Sequence, residues 1–123
     1  MQLNLFASSD ENLTMPQSVR SALGNFKFDS PPVLRLLEAL KIAKIKYRCP
    51  GWTREASTPV HVAIPSKKVA VRVMSAPAAR SVQSYKESWE KAGWRYVALW
   101  QIDVMQHSPA SLALQLLEYL KTL

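Results

Sequence analysis

The chain is poor in the residues that staple or metallate small proteins. Its one cysteine, Cys49, cannot form an internal disulfide, and no second cysteine or histidine stands at metal-finger spacing from it. A reducing compartment is expected, with no structural metal and no cofactor. Long apolar runs are missing as well. No stretch approaches the roughly 20 residues that cross a bilayer, and the opening seven residues lack a basic leader and a signal-peptide run. The expected location is therefore cytoplasmic, away from membranes. No internal repeat or low-complexity tract appears. Acids are also scarce, with 9 Asp and Glu against 16 Lys and Arg for a net charge of +7. Residues 1–30 carry a balance of −1, so the remainder carries +8. A basic body of this size suits a polyanion, most commonly nucleic acid; a merely solubilising surface is the plainer alternative.

What remains describes one folded domain. The 123 residues are 48% apolar and 20% charged, enough for a real but modest core. Residues 1–29 show no sustained period and are expected to form an extension or arm, with Leu3, Leu5 and Phe6 available to dock on a partner. The domain proper is expected over 30–123. Ser30-Pro31-Pro32 caps a first helix, and Val33, Leu36, Leu37 and Leu40 recur along its buried stripe. Ile45 to Cys49 alternates like a strand, and 51–57 reads as a loop. Val60–Ile64 and Val69–Val73 form a hairpin around Pro65-Ser-Lys-Lys68. A second helix follows Pro77, buries Ala78, Val82, Tyr85, Trp89 and Ala92, and stops at Gly93. Trp94–Trp100 is strand-like, residues 102–105 extend the sheet or form a short edge element, and Ser108-Pro109 opens a last helix. The expected class is α/β (α+β), a central mixed sheet flanked by helices in the order α-β-β-β-α-β-(β)-α.

The hairpin carries the most information. Pairing Ile64 with Val69 sets Ala63 opposite Ala70, Val62 opposite Val71 and His61 opposite Arg72. Alternation places Arg72 and Met74 on one side of their strand and Val69, Val71 and Val73 on the other, against the core. His61 and Arg72 thus become cross-strand neighbours within reach of one phosphate.

Over roughly 30–123 the chain resembles the PD-(D/E)xK nuclease superfamily, particularly its short branch related to very-short-patch mismatch endonucleases. The resemblance rests on the acid-bearing first helix, "HVAIPSKKVAVRVM", "SWEKAGWRYVAL" and the closing helix. It implies a restriction-endonuclease-like core. It also implies an Asp at position 61, a second acid at 72, a lysine at 74 and a supporting acid at Glu38. This chain has His61, Arg72 and Met74 there, and only Glu38 survives. Mg²⁺ needs hard oxygen ligands, which a guanidinium and a thioether cannot supply. The resemblance therefore implies a degenerate nuclease with no catalytic residues and no metal. Arg72 either grips a phosphate bidentately or ion-pairs with Glu38 and plugs the retired site. If activity persists, the candidates are Glu38, His61 and Glu55, the last migrating in from the loop before the hairpin. Glu87, Glu90 and Asp103 form no close acid pair.

The basic residues expected to meet nucleic acid are Lys44, Lys46 and Arg48 after the first helix, Lys67 and Lys68 in the turn, Arg80 at the start of the second helix, and Arg54, together with His61 and Arg72. Trp52 either stacks on a base or packs against Pro50 and Pro59. Trp89 and Trp94 suit the core, His107 suits a helix entry, and Cys49 is expected to be buried and inert. The leading expectation is a non-catalytic, DNA-binding accessory or regulatory protein that meets duplex phosphates. The alternatives are a protein-interaction subunit or inhibitor docking through residues 1–29, and an endonuclease with relocated acids.

Overall fold

The computed structural model describes residues 17–23, 26–56, 58–75 and 79–123. Their elements are α1 (Gln17–Leu23), α2 (Pro31–Ile42), β1 (Val62–Ile64), β2 (Val69–Met74), α3 (Ala79–Lys91), β3 (Arg95–Trp100), α4 (Gln101–Met105) and α5 (Pro109–Lys121). The sheet order is β1-β2-β3, with β1 antiparallel and β3 parallel to the central β2. The class is mixed α/β, with the sheet smaller than expected. Leu3, Leu5, Phe6 and Ala78 lie outside the described residues, as do the side chains of Arg80 and Val82.

The hairpin register is the expected one: Val62 meets Val71, Ala63 meets Ala70 and Ile64 meets Val69. Alternation along β2 then divides the core in two. Val69, Val71 and Val73 join Val33, Leu36 and Leu40 of α2 and Leu112 and Leu120 of α5 on one face. Ala70 on the other face packs with Val60 and with Trp89 of α3. Trp94 stands edge-on to Trp89 at 5.2 Å between ring centroids. With helices on both sides, the central strand is almost wholly buried, and only Arg72 on it is half-exposed.

Two expectations are corrected. The strand over 45–49 is reduced to two isolated bridges beside β1, Arg48 to Ala63 and Gly51 to Val60. Pro50 between them has no N–H to donate, so the ladder cannot continue. Residues 101–105 form the helix α4 in place of a strand or edge element. Arg35 Nη1 holds its exit, donating to Met105 O at 3.0 Å and His107 O at 2.9 Å. Within the segment expected as an arm, Gln17–Leu23 is helical and Val19 is fully buried. Among the described residues no helix is long and apolar enough to cross a membrane.

Glycine is required at 51 by proximity. A Cβ there would lie 2.7 Å from Ala63 N and 2.8 Å from Val60 Cγ2. Gly51→Ala is expected to cost about 1–3 kcal/mol through forced separation of the edge segment from β1. A urea midpoint at the wild-type value would show that the segment is not clamped there.

Two helices end in the same six-residue device. After α3, Trp94 N–H donates to Trp89 O and Gly93 N–H to Glu90 O, with Gly93 at φ 86°. After α2, Ile45 N–H donates to Leu40 O and Lys44 N–H to Lys41 O, with Lys44 at φ 58°. This is the Schellman geometry, whose left-handed position favours glycine. At one end the chain places glycine there; at the other it places lysine. Lys68, closing the hairpin turn at φ 51°, is a second lysine in the left-handed region.

Candidate nucleic-acid interface

Two separate groups of polar residues emerge. The first is the His61–Arg72 pair, set opposite each other by the hairpin register. His61 is buried, and its Nδ1 accepts the Val73 N–H at 2.9 Å. An acceptor at Nδ1 requires the neutral ring. Burial, and secondarily the Arg72 charge, lowers the imidazole pKa from 6.5 to about 4. The rings of Phe26 and Phe28 lie 4.8 and 5.6 Å from it. The two phenylalanine rings stack on each other at 5.8 Å.

Arg72 turns toward α3. Its guanidinium lies 4.1 Å from the Tyr85 ring centroid and 5.5 Å from that of Phe26. Nη1 is buried without a hydrogen-bond partner, and so is the Tyr96 hydroxyl nearby. Burial raises the Tyr96 pKa and the adjacent guanidinium opposes the rise. The two groups are close enough to interact electrostatically, although no hydrogen bond of good geometry closes between them. The guanidinium is thus packed against two rings with Nη1 buried, while the residue as a whole stays half-exposed.

The acids do not gather around this pair. Glu38 is exposed on α2, which packs against the opposite face of the sheet from Arg72. The expected Glu38–Arg72 plug is therefore precluded by strand alternation; aromatic rings fill that role instead. Glu55 is exposed in its loop and Met74 is buried in β2. Among the described residues, no three of His, Cys, Asp and Glu are grouped closely enough to hold a metal ion.

The second group lies at the other end of the hairpin, where Lys68 is four residues, roughly 13 Å, from Arg72 along the strand. Two adjoining surface cavities, about 450 and 410 Å³, share Ser66 and Lys67 as a common wall. Lys44, Lys46 and Lys121 complete the charged lining of the larger, and Lys68 and Arg95 that of the smaller. All six cations are exposed, and among the described residues no carboxylate side chain lines either cavity. They arrive by four routes: the end of α2, the hairpin turn, the start of β3 and the end of α5.

Lys44, Lys46, Lys67 and Lys68 were expected at such a surface. Arg95 and Lys121 were not, because tertiary packing brings them there. The parallel register sets Arg95 beside Val69, and Arg95 N–H donates to Lys68 O at 2.8 Å. Arg48 and Arg54 are exposed and Trp52 is half-buried, and none of them lines the two cavities. Cys49 is half-buried, with its thiol pKa raised by burial. His107 sits at the entry to α5, its Nδ1 3.2 Å from Ser111 Oγ.

Comparison with family models, with curated proteins and with solved structures finds no match to this chain.

Proposed function

We propose that this protein is a non-catalytic DNA-binding accessory or regulatory factor on a degenerate nuclease-like scaffold, and that it holds duplex phosphates on the six-cation rim around its hairpin turn. The observation that carries this reading is the rim itself, with six exposed cations and, among the described residues, no acid side chain in its lining. Lysine at two left-handed positions adds weight. Each costs on the order of 1–2 kcal/mol that glycine would avoid, and both lie in the rim. Among the described residues no aromatic side chain lines either cavity. These residues offer no platform for base stacking, the usual grip on single strands, which favours a duplex held by its backbone.

The non-catalytic part of the reading is supported by the hairpin's far end. The positions at which the nuclease resemblance implies acids hold a neutral imidazole tied to Val73 and a guanidinium packed on Tyr85. Neither is a ligand for a hard cation.

Fluorescence anisotropy with a short DNA duplex across a salt series tests the proposal. Full engagement of the rim predicts a log–log salt slope of about −5, abolished in Lys67→Glu/Lys68→Glu protein. A matched single strand should bind more weakly, and supercoiled DNA should stay intact with Mg²⁺ or Mn²⁺. Absence of duplex binding at low salt, or metal-dependent cutting, would overturn the reading.

A further inference from the structure

The larger cavity has a floor that phosphate binding leaves unexplained. Beneath its lysines it is lined by Ala43, Ile45, Leu117 and Leu120. A nucleic-acid backbone has nothing apolar to lay against these side chains. The lysines are not needed to cap the helix-end carbonyls that follow either, because these already have backbone partners. Ala39 O, Leu40 O and Lys41 O accept from Ala43, Ile45 and Lys44 N–H, and Tyr119 O and Leu120 O accept from Thr122 and Leu123 N–H. Four ammonium groups therefore share the lining with an apolar floor, and among the described residues no acid side chain joins them.

We propose that this cavity binds a small amphiphilic anion, a carboxylate head on a medium-length acyl chain, and that its occupancy competes with DNA for Lys67. The volume, about 450 Å³, falls in the range of small-molecule sites. An inorganic anion would satisfy the lysines and leave the floor wet, whereas a neutral apolar molecule would cover the floor and leave four charges uncompensated. Only a ligand with both parts meets both halves of the wall. Competition follows because Lys67 lines both cavities. That second clause rests on the DNA-binding reading; the binding of the amphiphile does not.

The test uses the full chain and decanoate below its micellar concentration, with inorganic phosphate and 1-decanol as half-ligands. Methyl-detected NMR titration should give saturable decanoate binding at least tenfold tighter than either half-ligand. The largest shifts should fall on Ile45, Leu117 and Leu120. Lys121→Glu and Leu117→Asp proteins, with folding checked by circular dichroism, should each weaken decanoate at least tenfold. Equal affinity for phosphate would reduce the site to a simple anion site and overturn the proposal, as would equal affinity for decanol or shifts mapping elsewhere. Preference for an acidic, leucine-bearing peptide with no decanoate binding would also overturn it, in favour of a protein partner. In a separate arm, saturating decanoate should raise the apparent duplex Kd at least fivefold. Duplex binding indifferent to bound decanoate would remove the competition, while failure of the duplex to bind at all would count only against the DNA-binding reading.

Discussion

Replacing Lys44 and Lys68 together by glycine is expected to stabilise the fold while weakening its grip on duplex DNA on the order of fifty-fold at 0.1 M salt. The opposing directions are the point of the experiment. Both lysines hold positive φ, 58° and 51°, which costs a side-chain-bearing residue about 1–2 kcal/mol each. Glycine relieves that strain but makes the unfolded chain more flexible, recovering only part of it. A net gain of about 1 kcal/mol for the pair should appear as a higher urea midpoint. Gly93, at φ 86° in the same hydrogen-bonded device, shows that this backbone forms it with glycine. Each lost phosphate contact removes a released counterion and so about 0.9 from the log–log salt slope. The variant's slope should therefore fall by nearly two. A variant that is less stable, or that binds duplex as the parent does, would show these lysines to be structural accidents and not ligands.

The second large effect is acid sensitivity from one histidine. The folded chain keeps His61 neutral until about pH 4, whereas an unperturbed histidine takes up its proton near pH 6.5. Between those values the unfolded state binds more protons, so this contribution is complete above pH 6.5 and is lost as pH falls toward 4. The span corresponds to roughly 3 kcal/mol. Its causes are burial first and the Arg72 charge second, and protonation would also remove the acceptor for the Val73 N–H. His61→Asn keeps a side-chain oxygen able to accept that hydrogen without titrating. It should lose stability at neutral pH, because the contacts with Phe26 and Phe28 shrink, and should show much less decline between pH 6.5 and 4. Equal pH slopes in parent and variant would place the acid sensitivity elsewhere.

These two sites were legible to different degrees. The hairpin could be read residue by residue once Ile64 was paired with Val69 around a four-residue turn with proline at its head, the register that the structure has. That register then fixed His61 opposite Arg72. What Arg72 touches could not be read. Alternation placed it away from α2, but the rings that surround it come from Tyr85 in α3 and from Phe26, far away in sequence. The edge strand over 45–49 was overestimated because alternation of side chains says nothing about whether a neighbour can supply the hydrogen bonds, and Pro50 cannot. Residues 101–105 have an apolar composition that suits either strand or helix, and contact of Val104 with the α2 side of the core accompanies the helix.

By itself the sequence determined the mixed α/β class, the helix starts at Ser30 and Ser108, the hairpin register and the excess of positive charge. All of these depend on periodicity, capping and composition, which act over a few residues. Only the tertiary structure decided how that charge is grouped. Arg95 and Lys121 join the hairpin lysines because β3 runs parallel beside β2 and α5 ends near the close of α2. Long-range packing of apolar faces brings those chain ends together, and no local pattern encodes which surface residues the packing will leave side by side.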